Sequence, residues 1–571
     1  MGFWNHIGSL GKIVGLLAGA FASLGTVAAA QSQTAQSKDS TLIKADAETI
    51  EADVRFLADD LLEGREAGTR ADRLAQHYLV ARYRMIGLQP AGDDGTYLQK
   101  FGMRMTQLEP GSASIRFSGQ RKDRFENGDD VALFGHPVEA DQQVDAEMVF
   151  AGYGIVSDRQ GLNDYEGLDV DGRIVVLLGG PPAFLPATDA AHLASAREQQ
   201  SQAARRGATG VMYLWTPALE QRYPFALMND QIGRRDMVWL DEEGRPATVN
   251  PLIRVTGFLH GAAVEAALAG TSSHFGDLVE QAQVRSPDGF PLKARISVSR
   301  RSTHDDTLTS ANVAGFLEGS DPELREEIIV LTAHFDHVGI GRAYDGDAIY
   351  NGALDNAVGT AMLLDVATLL ASSESRPRRS ILFLAVGAEE KGILGSDYFA
   401  AHMAEAGGKI VANVNLDGAF PFYDFRDVIA FGAEQSDIID HLTAATAELS
   451  LTVAPDPFPE ESIFTRSDQY SFMPRGIPGV FLYNGFTDMA GDNVGRAVWD
   501  DLMARVVHLP TDDLMQPIDW DVLAKFSDVF RRLALRLGNA DTRPQWRQES
   551  MFANDPRAPL SEGSTGESAA D

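Results

Sequence analysis

EEIIVLTAHFDH, residues 326–337, begins acidic, runs apolar through Leu331 and ends on His334 and Asp336. A short apolar run of this kind reads as a buried strand, and here the side chains able to bind metal or move protons sit at its carboxyl end. The pattern recurs. Residues 381–386 (ILFLAV) stop just before Gly387-Ala388-Glu389-Glu390, and 410–416 (IVANVNL) deliver Asp417. Open α/β sheets bind ligands in the crevice beyond the strand carboxyl ends, so these separate segments point to one site. Residues 357–372 (AVGTAMLLDVATLLAS) have helical periodicity, with Asp355-Asn356 at their start. His508 follows later in a loop signal, HLPTDD at 508–513.

His334, Asp355, Glu390, Asp417 and His508 offer nitrogen and oxygen donors, and the chain has no cysteine. Thiolate zinc sites are excluded, and the donor set suits zinc in a hydrolytic site. The set exceeds the ligands of one structural zinc. It suggests two ions about 3.5–4 Å apart that share a carboxylate. Adjacent side chains on an extended or turning backbone point different ways, so Glu390 is read as a ligand and Glu389 as a proton acceptor. Taken singly, a histidine or an acidic pair is usually solvated surface; the set stands out because three separate strands deliver such residues at their carboxyl ends. His337 is read either at the site entrance or in packing.

The series AHFDH at 333–337, NGALDNAVGTA at 351–361, GAEEKGILGS at 387–396, NLDG at 415–418, RSDQYSF at 466–472 and HLPTDD at 508–513 resembles the zinc aminopeptidase family. That family includes bacterial leucyl aminopeptidase, aminopeptidase Y and glutamate carboxypeptidase II. The resemblance implies an α/β fold with a mixed, mostly parallel central sheet flanked by helices. It implies one zinc on His334 and Asp417, a second on Glu390 and His508, and Asp355 bridging both. Glu389 would be the general base. Asp336 would hydrogen-bond the His334 ring and fix its tautomer, and a cis peptide is implied after Asp355. Gln469 stands where several relatives have His. With Tyr470, Tyr483 and Asn484 it is assigned to the substrate pocket.

The chain has 571 residues, too many for one ordinary core. Residues 1–30 read as a secretory signal peptide: Lys12 precedes an apolar, small-residue segment that ends in Ala28-Ala29-Ala30. Export to the periplasm or medium follows as an expectation, with no stable membrane anchor after cleavage. Residues 31–45 read as a polar linker. The peptidase domain is expected over 46–110 and 301–539, interrupted by an insert at 111–300. Within the insert, 149–155 (VFAGYGI) and 172–178 (GRIVVLL) resemble a β-rich protease-associated domain, which brings an expectation of protein contacts. Residues 540–571 read as a disordered tail. The formal charge of −32 argues against nucleic acid as a partner, because phosphate contacts need clustered Lys and Arg.

The expected function is hydrolysis at the free amino terminus of peptide substrates, by metal-activated water with Glu389 as base. A carboxypeptidase or glutaminyl-cyclase-like enzyme on the same fold is an alternative. So is a receptor-like ectodomain without chemistry.

Overall fold

The computed structural model describes residues 45–119 and 122–553. The signal-peptide segment and nearly all of the linker lie outside them. The described chain opens with α1 (Ala47–Leu57), capped by the Asp46 side chain, and α2 (Arg70–Ile86), capped by Thr69 and closed by the left-handed Gly87. The strand β1 (Leu98–Leu108) then leads into the insert.

The insert contributes β2 (Asp141–Phe150), β3 (Ile174–Leu178), β4 (Gly210–Leu214), the short helix α3 (Pro217–Arg222), β5 (Arg235–Trp239) and β6 (Val255–Leu259). In its sheet β2, β3, β4 and β6 lie side by side and parallel. Apolar residues on both faces form cores of their own, one around Phe150 and Ile296, another around Trp215 and Phe225.

The chain returns along one long strand, β7 (Phe290–Leu317). Its first part pairs with β2 in the insert sheet, and its second part pairs antiparallel with β1 in the main sheet. The chain continues through β8 (Glu327–His334), α4 (Val358–Ala371), β9 (Ser380–Val386), α5 (Leu394–Ala401), β10 (Lys409–Leu416), β11 (Asp427–Phe431), β12 (Gly479–Asn484) and α6 (Trp520–Asn539). The order across this sheet is β5-β1-β7-β9-β8-β10-β12-β11. Its centre, β9-β8-β10-β12, is parallel, and the flanks are antiparallel. The expected mixed sheet, parallel at its heart, is therefore observed. β8, β9 and β10 are buried almost throughout, which is why they read as continuous apolar runs. α4 is apolar on all sides because it is enclosed by the sheet, α1 and α6.

Two expected boundaries shift. β5 lies inside the range given to the insert, yet it pairs with β1 at the edge of the main sheet. Residue 301 is no boundary either, since β7 passes through it unbroken. The tail expectation fails for 540–553: Phe552 is fully buried against the core and Trp546 Nε1 donates to the Gly476 carbonyl at 3.3 Å. Isolated aromatic residues in a polar stretch anchor it to the body of the protein. The remainder of that tail lies outside the described residues.

Candidate metal centre

His334 is the last residue of β8 and pairs with Val386 at the end of β9, while neighbouring Ala333 pairs with Leu416 at the end of β10. The registers therefore bring His334, Glu389-Glu390 and Asp417 to one edge. Asp355 joins them from the turn before α4, and the Asp355–Asn356 peptide is cis. Asn356 locks this turn to the Asp417 loop. Its Nδ2 donates to Leu416 O at 2.9 Å, and its Oδ1 accepts from Gly418 N at 2.9 Å and Gly359 N at 3.0 Å. His508 arrives with φ of 55°, and Ala388, just before Glu389, has φ of 59°. Such left-handed values at non-glycine residues persist only where the surroundings hold them.

The two oxygens of Asp355 face two different sets of donors. His334 Nε2 lies 3.2 Å from Asp355 Oδ1 and 2.9 Å from Asp417 Oδ1. His508 Nε2 lies 3.0 Å from Asp355 Oδ2 and 3.2 Å from Glu390 Oε2. All five sequence-assigned ligands are thus brought together. His337 joins the second set: it is fully buried, and its Nδ1 lies 2.7 Å from Glu390 Oε1 without hydrogen-bond alignment. The ring would collide with any Cβ at Gly352, whose φ is 62°. Its spacing from His334 was visible in the sequence, but nothing there gave its direction.

Asp355, Glu389, Glu390 and Asp417 crowd this edge, a concentration of negative charge that burial makes costly without compensation. Burial pushes the Glu389 carboxyl well above its usual range, with Asp417 adding to the rise and His334 opposing it. Burial acts the same way on Glu390, but His508 and His337 outweigh it and hold that carboxyl well below. His508 is raised to about 10, because Glu390 and Asp355 overcome the burial that would lower it. His334 is raised too, by Asp417 and Asp355 against burial. The nitrogen and oxygen donors fit zinc, and groups of such atoms close enough to share an ion occur on either side of Asp355.

Some expected roles change. The Asp336 carboxylate lies 3.9 Å from His334 Nδ1, too far for a hydrogen bond, and the ring contacts the Asp336 main-chain carbonyl at 3.2 Å. Instead the carboxylate accepts the N–H groups of Glu389 and Glu390 at 3.0 and 3.3 Å, and so orients the Glu-Glu turn. Gln469 is fully buried and donates to Phe464 O at 2.7 Å. Asn484 is fully buried and spans the Phe420 main chain, accepting at 2.7 Å and donating at 3.0 Å. Both brace backbone beneath the site and do not reach its cavity. Tyr470 lines a separate cavity at the seam with the insert, with its hydroxyl 2.7 Å from His192 Nδ1. Tyr483 does line the active cavity. Ser467, which the sequence left without a role, donates to Asp417 Oδ2 at 2.6 Å.

The cavity over this edge measures about 770 Å³. Asp355, Glu389, Glu390, Asp417 and His508 form one side, and Phe431, Phe458, Phe481, Tyr483 and Trp499 give it an aromatic wall. The insert closes another side through Arg222 and Tyr223 at the end of α3. Arg222 donates to Glu460 O at 2.6 Å, and Tyr223 donates to Glu461 Oε2 at 2.6 Å.

Residues 312–534, which contain every ligand described above, match the family model of Peptidase family M28. A stretch of the chain is 33% identical over 138 residues to mouse Aminopeptidase NAALADL1, and one is 31% identical over 135 residues to Aminopeptidase YwaD of Bacillus subtilis. A third relative, a probable zinc metalloprotease of Leptosphaeria maculans, is 34% identical over 108 residues. The matches cover 23%, 24% and 19% of this chain and only 16%, 27% and 24% of those relatives. Among solved structures, an aminopeptidase from Aneurinibacillus sp. strain AM-1 aligns with a TM-score of 0.47 at 18% identity, covering 86% of this chain and 93% of its own. A zinc aminopeptidase from Bacillus subtilis aligns with a TM-score of 0.41 at 18% identity, covering 86% and 95%.

Proposed function

We propose that the chain is an exported di-zinc aminopeptidase of the M28 type, acting on peptides with a free amino terminus. The observation that carries this reading is the division of Asp355, one oxygen facing His334 and Asp417 and the other facing His508 and Glu390. His334 and Asp417 would hold one ion, Glu390 and His508 the other, and Asp355 both. Bound zinc supplies Lewis acidity toward the peptide carbonyl and lowers the pKa of water.

The chain's own residues do the rest. Glu389, buried beside the ligands, accepts the proton of the attacking water and passes it to the leaving amine. Asp336 holds Glu389 and Glu390 in orientation through their main-chain N–H groups. The aromatic wall takes the first side chain of the substrate, and the insert, read as a protease-associated domain, limits the cavity through Arg222 and Tyr223. The names of the curated relatives favour the amino-terminal direction of cleavage.

The test is zinc content of purified protein together with hydrolysis of free and N-acetylated peptides. Two zinc per chain and cleavage of free amino termini alone are expected. Release of residues from the carboxyl end of blocked peptides would move the assignment to a carboxypeptidase. One zinc, or no hydrolysis across a broad peptide set, would sink the reading.

A further inference from the structure

Arg65 has no place in the site just described, yet it is fully buried, and its guanidinium reaches the backbone of two ligand loops. Nε donates to Phe335 O at 2.6 Å, between His334 and Asp336. Nη1 donates to Asn351 O at 2.6 Å and also to Leu57 O, and Nη2 donates to Gly352 O at 2.9 Å, a few residues before Asp355. A planar group with five N–H donors fits this cage of carbonyls, whereas a lysine ammonium has three donors on one atom and cannot span it.

The local backbone is arranged around that contact. Arg65 has φ of 50° and Glu63 45°, and a Cβ at Gly64 would lie 2.3 Å from Tyr350 O. A left-handed arginine with its head buried is a costly arrangement, held only by what surrounds it. The next residue extends the connection: Glu66 Oε1 pairs with Lys391 Nζ at 2.9 Å, directly after Glu390. Burial lowers the Arg65 pKa to about 10, with Asp336 and Asp512 opposing the fall, so the group remains a cation at neutral pH.

We propose that Arg65 is a positioning residue of the metal centre, its guanidinium setting the separation between the loop that carries His334 and the loop that carries Asp355. This rests on the di-zinc reading above. It touches neither substrate nor ion, and acts by holding Asp355 where it can face both sets of donors.

The experiment compares zinc affinity, by competition with a chromophoric chelator, in wild type, Arg65→Lys, Arg65→Ala and a control, Arg379→Ala. Arg379 is another buried arginine bound to carbonyls, those of Leu537 and Ala540, away from the ligands. Folding is followed in parallel by circular dichroism. Zinc affinity is expected to fall about 10–100-fold in both Arg65 variants, as when partners of metal ligands are removed. In Arg379→Ala only thermal stability should fall, and millimolar guanidinium should restore part of the zinc affinity of Arg65→Ala. Folded Arg65 variants with wild-type zinc affinity would overturn the proposal. Should Arg65→Ala fail to fold, Arg65→Lys decides by the same affinity readout. Wild type that takes up no zinc refutes the di-zinc reading itself, and that outcome is visible before any variant is compared.

Discussion

Asp512 accepts the main-chain N–H of Asp355 at 3.0 Å with one carboxylate oxygen, and that of Leu354 at 2.7 Å with the other. One loop therefore supplies His508 and also pins the residue that His508 faces. Asp512 is fully buried, and burial raises its pKa to about 6. An asparagine there would keep one acceptor and turn an amide N–H toward a backbone N–H. Asp512→Asn should bind zinc about 10–100-fold more weakly, read by chelator competition. Unchanged affinity would show that the loop holds Asp355 by other means.

Glu389→Gln keeps the side-chain volume and removes the proton acceptor. Turnover should fall by about 10²–10⁴ while zinc content stays at the wild-type level. Measuring kcat and metal content on the same preparation separates lost chemistry from a lost ion.

Chelation should lower the melting temperature, because ligand binding to the folded state adds stability by mass action and its removal leaves buried carboxylates to repel one another. Differential scanning calorimetry with and without chelator, followed by zinc readdition, reads the loss and its recovery. A melt indifferent to chelator would mean that the fold does not depend on a bound ion.

Acid stability should depend on Asp397. Burial would raise this carboxyl, but Arg197 and Arg475 outweigh it and bring it down to about 2. Arg197 Nη1 and Arg475 Nη1 lie 2.8 and 2.9 Å from Oδ1, and Trp239 Nε1 donates to Oδ2 at 2.9 Å. A depressed carboxyl stabilises above its unfolded pKa and loses that contribution as pH falls through the folded one. The contribution, on the order of 2 kcal/mol, should be complete above about pH 4 and vanish toward pH 2. Urea unfolding of wild type and Asp397→Asn across this range should show the difference closing on the acid side.

Trp499 stacks on Phe458 with ring centroids 4.7 Å apart and forms part of the aromatic wall. Trp499→Ala should reduce kcat/KM about tenfold for peptides led by leucine or phenylalanine, and less for those led by alanine. An equal loss for every peptide would place the first side chain elsewhere.

The candidate ligands His334, Glu390 and Asp417 were legible because each follows an apolar run, and strand register then carries them to one edge. Direction was not legible. Asp336 and Asn484 have side chains that serve distant main-chain groups, and spacing along the chain does not encode which backbone a carboxylate or amide will meet. Arg65 and Asp512 escaped for the same reason, although Asp512 lies in the HLPTDD segment. The continuity of β7 was hidden by its polar middle, RRSTHDD at 300–306, which reads as a break but lies in paired strand.

That continuity has a mechanical consequence. The chain enters the insert through a turn, with Ser112 N donating to Glu109 O at 3.1 Å, but it leaves along β7, which is hydrogen-bonded to partners in both sheets. A body attached through a paired strand cannot swing as on a hinge; it can only twist with the strand. Tension applied along β7 would load both ladders in shear together, so the two sheets should resist pulling as a single stiff element. Opening of the cavity is then left to side chains and loops at the seam, with the Arg222 and Tyr223 contacts to residues 460–461 the first to part.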